Sequence, residues 1–267
     1  MRESSSRELL GVVPATHAPP YRFVMDRAGV GGYRDSRTLP DQTALALART
    51  NLGIQLVRRD DQRAILLWAL HDGEEISRPR AEWLDASRLA VALRRGGRTG
   101  AIALGWLDPA RAQHSALRDV PFAGELGLPS LAIQGGRAAV AAAVRMTPAH
   151  PWRIQVASAE WQGAARRASL PELASRPELD TIAPSIAALA DSRWLLQWTE
   201  GREGERRVRA ITLDADFHAV GAAISVSPNE ASAGGGLVVP VDQGLLSLFL
   251  VQKAGGYDLW ATTLACH

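Results

Sequence analysis

Short apolar runs, separated by polar or glycine-rich breaks, recur along the chain in a fixed order. Five of them, at 52–58, 88–94, 137–145, 193–200 and 244–251, take the place of a second strand in successive units. Their starts lie roughly 36, 49, 56 and 51 residues apart, a spacing typical of four-stranded repeat units. Each is followed by a third strand, at 63–71, 100–108, 152–160, 207–216 and 257–266. The breaks between second and third strands contain Asp60-Asp61, Gly96-Gly97, Pro148 with Pro151, Gly201 with Gly204, and Gly255-Gly256. These are the residues that tight hairpin turns require. A first strand is clearest where Pro129-Ser130-Leu131-Ala132-Ile133 recurs as Pro184-Ser185-Ile186-Ala187-Ala188. Leu237-Val238-Val239-Pro240-Val241 takes the same place in the last unit. Fourth stretches such as 113–119 (QHSALRD) and 163–169 (GAARRAS) are more polar.

Strands covered on both faces read as unbroken apolar runs, whereas half-buried strands alternate. Residues 64–70 and 245–250 are nearly unbroken, and polarity rises toward the fourth stretch of each unit. That gradient predicts radially packed blades: an all-β β-propeller of five or six mostly four-stranded blades. A sandwich of two covered sheets is the competing architecture. Helix propensity is good at 138–144 (AAVAAAV), but Gly135, Gly136 and Pro148 leave too little room for a helix of ordinary length. The matching register of 194–198, rich in bulky residues, favours strand. Only 170–179 suggests a short helical turn or a long loop. The last unit stops after its third strand, and 21–25 (YRFVM) and 33–39 (YRDSRTL) are the N-terminal candidates to close the ring as outer strands. Residues 1–18, rich in serine, proline and charge, read as a loose tail, and 19–267 as a single propeller domain.

Composition then works by exclusion. The formal net charge is only +2, Lys253 is the single lysine, and no basic cluster alternates with aromatics, so no nucleic-acid partner is expected. Cys266 is the only cysteine, which rules out an internal disulfide. No apolar run is long enough for a transmembrane helix, and residues 1–8 lack the apolar stretch of a signal peptide. As written the chain reads as soluble; a leader upstream of Met1 would place it in the cell envelope or outside the cell.

The pattern Pro184-Ser185-Ile186-Ala187, Trp194-Leu195-Leu196-Gln197-Trp198, Val208-Arg209-Ala210-Ile211-Thr212-Leu213 and Ile224-Ser225 resembles blades of bacterial repeat propellers of the cell-envelope or secreted type. It is more distantly similar to sialidase-type propeller repeats. The resemblance is closest over 129–266 and thinner over 40–128. It implies the fold and an exported location, and it brings no catalytic motif.

Local motifs for chemistry are missing. There is no phosphate-binding glycine loop, dinucleotide fingerprint, nucleophile-elbow serine or His-Glu-x-x-His. The sialidase aspartate box, Ser-x-Asp-x-Gly-x-Thr-Trp, is absent too. The six histidines are scattered, and no cofactor or metal is expected. Asp214-x-Asp216-x-His218 puts three potential ligands on one face of a strand end, a geometry that could hold a cation but that a solvated outer hairpin explains as well. Among the tryptophans, Trp68, Trp106 and Trp260 fall in corresponding third strands, as packing between blades requires. First strands line the channel of a propeller, which makes Arg80, Glu82, Trp83, Ser130 and Ser185 the candidate binding residues. Without a convergent acid, base and nucleophile, the expected function is a non-enzymatic binding or scaffold module with a protein or glycan partner. The alternative is a propeller-type carbohydrate hydrolase or lyase whose channel residues come from several blades.

Overall fold

The computed structural model describes residues 34–38, 44–49, 53–58, 64–69, 74–77, 79–160, 165–169, 173, 175–241 and 244–264. All regular structure among them is antiparallel β, arranged in five sheets. Sheet 1 contains β1 (Arg34–Thr38), β2 (Ala44–Arg49), β3 (Gly53–Arg58) and β4 (Ala64–Ala69) in that order. Sheet 2 contains β5 (Arg80–Trp83), β6 (Leu89–Arg95), β7 (Ala101–Asp108) and two short outer pieces, β8 (Gln113–His114) and β9 (Arg118–Val120), both paired to β7.

Sheet 3 starts with β10 (Glu125–Leu126) and β11 (Ser130–Gln134), which pair one after the other with β12 (Arg137–Arg145). It continues through β13 (Arg153–Glu160) to β14 (Ala165–Ser169). Sheet 4 runs β15 (Thr181–Ala188), β16 (Trp194–Glu200), β17 (Arg207–Leu213) and β18 (Ala219–Ser225). Sheet 5 runs β19 (Ala233–Val241), β20 (Gly244–Lys253) and β21 (Gly256–Leu264).

Successive sheets bury their faces against each other, as propeller blades do. Leu47, Ile54, Leu67 and Trp68 of sheet 1 meet Ala81, Leu89, Val91 and Leu93 of sheet 2. Ala90, Ala92, Ile102 and Leu104 of sheet 2 meet Leu131, Ala138, Val140 and Ala142 of sheet 3. Ala139, Ala141, Ile154 and Val156 on its other side meet Ile186, Trp194, Leu196 and Trp198 of sheet 4. Leu195 and Ala210 meet Val238 and Leu245 of sheet 5. The alanine run is therefore a strand. Every residue from Ala138 to Val144 is buried because β12 lies between two sheets, and small side chains let them approach.

The second and third strands fall where the repeat places them, within one or two residues at their N-terminal ends. Residues 33–39 behave differently from expectation. Arg34–Thr38 pairs with Ala44–Arg49 in sheet 1, its near neighbour in sequence, and not with the last sheet. The other closing candidate, 21–25, lies outside the described residues, as do 1–18. Trp260 also departs from its expected place between blades. It is 39% exposed, with Lys253 Nζ 5.4 Å from its ring, because no described strand lies beyond β21. Trp68 is buried, and its indole N–H donates to Ser115 O at 2.9 Å, while Trp106 is half-buried under Arg88.

Candidate functional site

The inner strands of sheets 2 to 5 share one irregularity, and it shapes the channel. In sheet 2, Ile76 faces Arg95 and Arg80 faces Ala92, so four steps on one strand match three on the other. Leu126/Val144 and Ser130/Ala141 repeat this offset in sheet 3. Thr181/Glu200 and Ser185/Gln197 repeat it in sheet 4, and Ala233/Val251 and Leu237/Leu248 in sheet 5. Each is a one-residue bulge, which bends the strand and re-aims the side chains beyond it. The residue before pairing resumes is Pro79, Pro129, Pro184 or Gly236. Proline is tolerated there because a bulge frees one N–H from the ladder. Two bulge residues, Ala183 (φ 49°) and Gly235 (φ 66°), take up left-handed backbone to make the bend.

Beyond the bulges, β5, β11, β15 and β19 surround a cavity of about 470 Å³. That lies in the range of small-molecule sites, about 300–1,000 Å³. Arg80, Glu82, Trp83, Ser130 and Ser185 all line it. Side chains alternate along these strands. Leu131, Ile186 and Val238, one residue past the resumed pairing, pack on the preceding sheet. Ala132 and Ala187, one residue further on, face the following sheet.

Both serines are occupied in holding neighbouring blades together. Ser130 Oγ accepts the Ile186 N–H at 3.0 Å, and Ser185 Oγ accepts the Val238 N–H at 3.0 Å. These N–H groups point away from their own sheets, so the hydroxyls satisfy donors that the ladder leaves over. Ser185 is buried, which leaves Ser130, half-buried, as the more open of the two.

Sheet 2 puts Arg80 where sheets 3 and 4 have serine, with Glu82 two residues on along the same face. Arg80 is exposed, whereas Glu82 and Trp83 are half-buried. Trp83 turns its body toward the sheet 1–sheet 2 core, and its indole N–H is buried without an acceptor. The rest of the lining is apolar or backbone, apart from the two serines. Glu82 is the one carboxylate among the described lining residues.

No family model and no curated protein matches the sequence. Solved structures do resemble it. An endo-arabinase from Bacteroides thetaiotaomicron superposes with a TM-score of 0.58 at 13% identity, covering 89% of this chain and 96% of that one. An α-L-arabinanase of Penicillium chrysogenum, complexed with arabinobiose, gives 0.57 at 12%, covering 98% and 87%. An ulvan lyase of a new polysaccharide-lyase family gives 0.61 at 10%, covering 88% and 64%. The chain has a propeller fold. At such identities the likeness speaks for the fold alone, yet it corrects one expectation: these three neighbours are named as carbohydrate-active enzymes, which favours the hydrolase or lyase alternative over a non-enzymatic module.

Sequence reasoning missed the wall of sheet 5. Gln197, fully buried, accepts from Ser247 Oγ through Oε1, while its Nε2 has no partner and lies against Gly236. The Gly234-Gly235-Gly236 run and an amide inside the apolar 194–198 run were the signals that could have found it.

Asp214 proves to be a turn cap. Its Oδ1 accepts from the N–H groups of Asp216 and His218, both at 2.9 Å, and Oδ2 lies 3.3 Å from His218 Nδ1. The His218 N–H contributes most to holding this carboxyl below its usual range. Among the described residues no His, Cys, Asp and Glu cluster fit for a metal occurs, and no helix is long and apolar enough to cross a membrane.

Proposed function

We propose that the chain is a carbohydrate-active enzyme, a hydrolase or lyase, that takes a glycan into the cavity between its inner strands. The observation that carries this reading is the clustering of Arg80, Glu82 and Trp83 on one strand of an otherwise largely apolar wall. A sugar ring offers hydroxyls to the charged pair and an apolar face to the largely apolar remainder of the wall. Glu82 is the general acid or base: half-buried, it delivers a proton to a leaving oxygen or takes one from the substrate. Hydrolysis by paired carboxylates requires a second acid about 5–10 Å away, and the described lining has none. Arg80 supplies the opposite charge in that wall. The polysaccharide-cleaving neighbours of the same fold support the reading, and an exported location would suit such substrates.

The test is turnover. The purified chain is incubated with arabinan, arabinoxylan, pectin and ulvan, and both new reducing ends and unsaturated products are followed. Release from at least one substrate is expected, with Glu82→Gln lowering the rate by about 10²–10⁴-fold. No release from any of them, or a Glu82→Gln variant at full rate, sinks the proposal.

A further inference from the structure

The junctions between inner strands differ in one respect that bears on substrate class. Ser130 and Ser185 each give a hydroxyl oxygen to an N–H on the next inner strand. Leu131 stands at the same register as those two donors, one residue past the resumed pairing. The side chain opposite it, at the serine position of sheet 2, is Arg80. Guanidinium has five donors and no acceptor. At this junction a backbone donor and a cation therefore stand at one register, and among the described residues no side-chain oxygen is bonded to either. Among the described residues Arg80 has neither an ion-pair nor a hydrogen-bond partner.

We infer that this junction, Arg80 with the Leu131 N–H, binds the oxyanion substituent of an acidic sugar, a carboxylate or a sulfate ester. The inference rests on reading the cavity as a glycan site and adds to it a class of substrate. An oxyanion supplies the acceptor that serine supplies at the other junctions, and it adds charge-assisted bonds to the guanidinium. Glu82 lies two residues along the same face, about 7 Å away along a strand. Its carboxylate is placed to accept from hydroxyls across one sugar ring. The apolar remainder of the wall strengthens the charge interaction by excluding water.

Calorimetric titration of the whole chain tests this with three probes: an oligogalacturonate, a sulfated galactan oligosaccharide and a neutral arabino-oligosaccharide. At least one anionic probe should bind about tenfold tighter than the neutral one, with affinity falling as sodium chloride rises. Which anionic probe wins identifies carboxylate or sulfate. Arg80→Ser should abolish the preference while the thermal midpoint holds or rises, and Arg80→Gln serves as a second variant with the side-chain length kept. No binding of either anionic probe, equal binding of the neutral one, or an undiminished preference in both variants overturns the inference. Turnover of neutral substrates alone would defeat this inference and leave the enzyme reading standing. Tight anionic binding without turnover would do the opposite.

Discussion

The junction between sheets 2 and 3 and the two beyond it are built on the same backbone and do different work. All three bring a bulged inner strand to the channel, and each places one side chain over a donor of the next strand. At the later two that side chain is serine, and the donor is satisfied from within. At the first it is arginine, which has no acceptor to give, and no other described side chain takes its place. A repeat that closes a hydrogen bond at most positions and leaves one open separates the positions that hold the molecule together from the one that can meet a ligand. Neither serine nor arginine is informative by itself; the contrast at equal register is.

The largest effect should come from the wall of sheet 5. The second-strand residue opposite Arg80 and Ser130 is small (Ala92, Ala141), whereas the one opposite Ser185 is Gln197, which lies against Gly236 of the next sheet. A Cβ on Gly236 would run into Gln197 Nε2, and the buried amide, held at its other end by Ser247, would have to move. Gly236→Ala should cost about 2–3 kcal/mol in chemical denaturation. Gly236→Ala combined with Gln197→Ala, which restores the small residue behind the bulge, should recover part of it. No recovery would mean that size exchange is not what distinguishes this junction.

Next come the serines. Ser185→Ala leaves the Val238 N–H buried without an acceptor and should cost about 1–3 kcal/mol. Ser130→Ala should cost less, about 0.5–1.5 kcal/mol, because water reaches its half-buried site. Equal costs would show that burial does not grade the two latches. Arg80→Ser has the opposite sign. By adding the missing acceptor for Leu131 it should gain about 0.5–1 kcal/mol, measured on the same denaturation curves. A loss of stability would mean that Arg80 is structural, and that the contrast between junctions has been misread.

Much of this was legible in the residues. The Pro-Ser repeat, the unbroken runs and the turn glycines are local signals, and they located the second and third strands and the channel side of the first. The bulges were not legible, because they exist only in the register between two strands. Without register, Arg80 cannot be recognised as standing in a serine's place, although Pro79-Arg80 has the same spelling as Pro129-Ser130 up to the side chain that differs. Residues 33–39 were assigned to a distant partner because the terminal unit lacked a strand. The short separation from Ala44–Arg49 favours the local hairpin, since loop closure costs less entropy. A catalytic site of the proposed kind would leave no linear motif for a related reason: the cavity draws its lining from four strands.

The smallest expected effect concerns the turn that carries β5 away from the charged junction. Asp85 Oδ1 accepts the N–H groups of Ser87 and Arg88 at 2.9 and 2.8 Å, and Oδ2 accepts from Arg88 Nε at 2.7 Å. Burial by itself would raise this carboxyl, but the Arg88 side chain and the two backbone donors outweigh it and bring it down to about 2. The unfolded value is near 3.9, so the turn's contribution is complete above about pH 4 and disappears as the pH falls toward 2. The pair is well exposed and screened by solvent, which limits the effect to less than about 1 kcal/mol. Asp85→Asn keeps an acceptor for the backbone but gives up the charge. It should therefore lower the thermal midpoint slightly at pH 7 and leave it equal to the parent's at pH 2. A difference that persists at pH 2 would mean that the turn depends on shape and not on charge. Because Asp85 comes two residues after Trp83, such a result would also tie the turn to the indole at the cavity. The anionic-probe titration should then weaken in this variant, although Arg80 is intact.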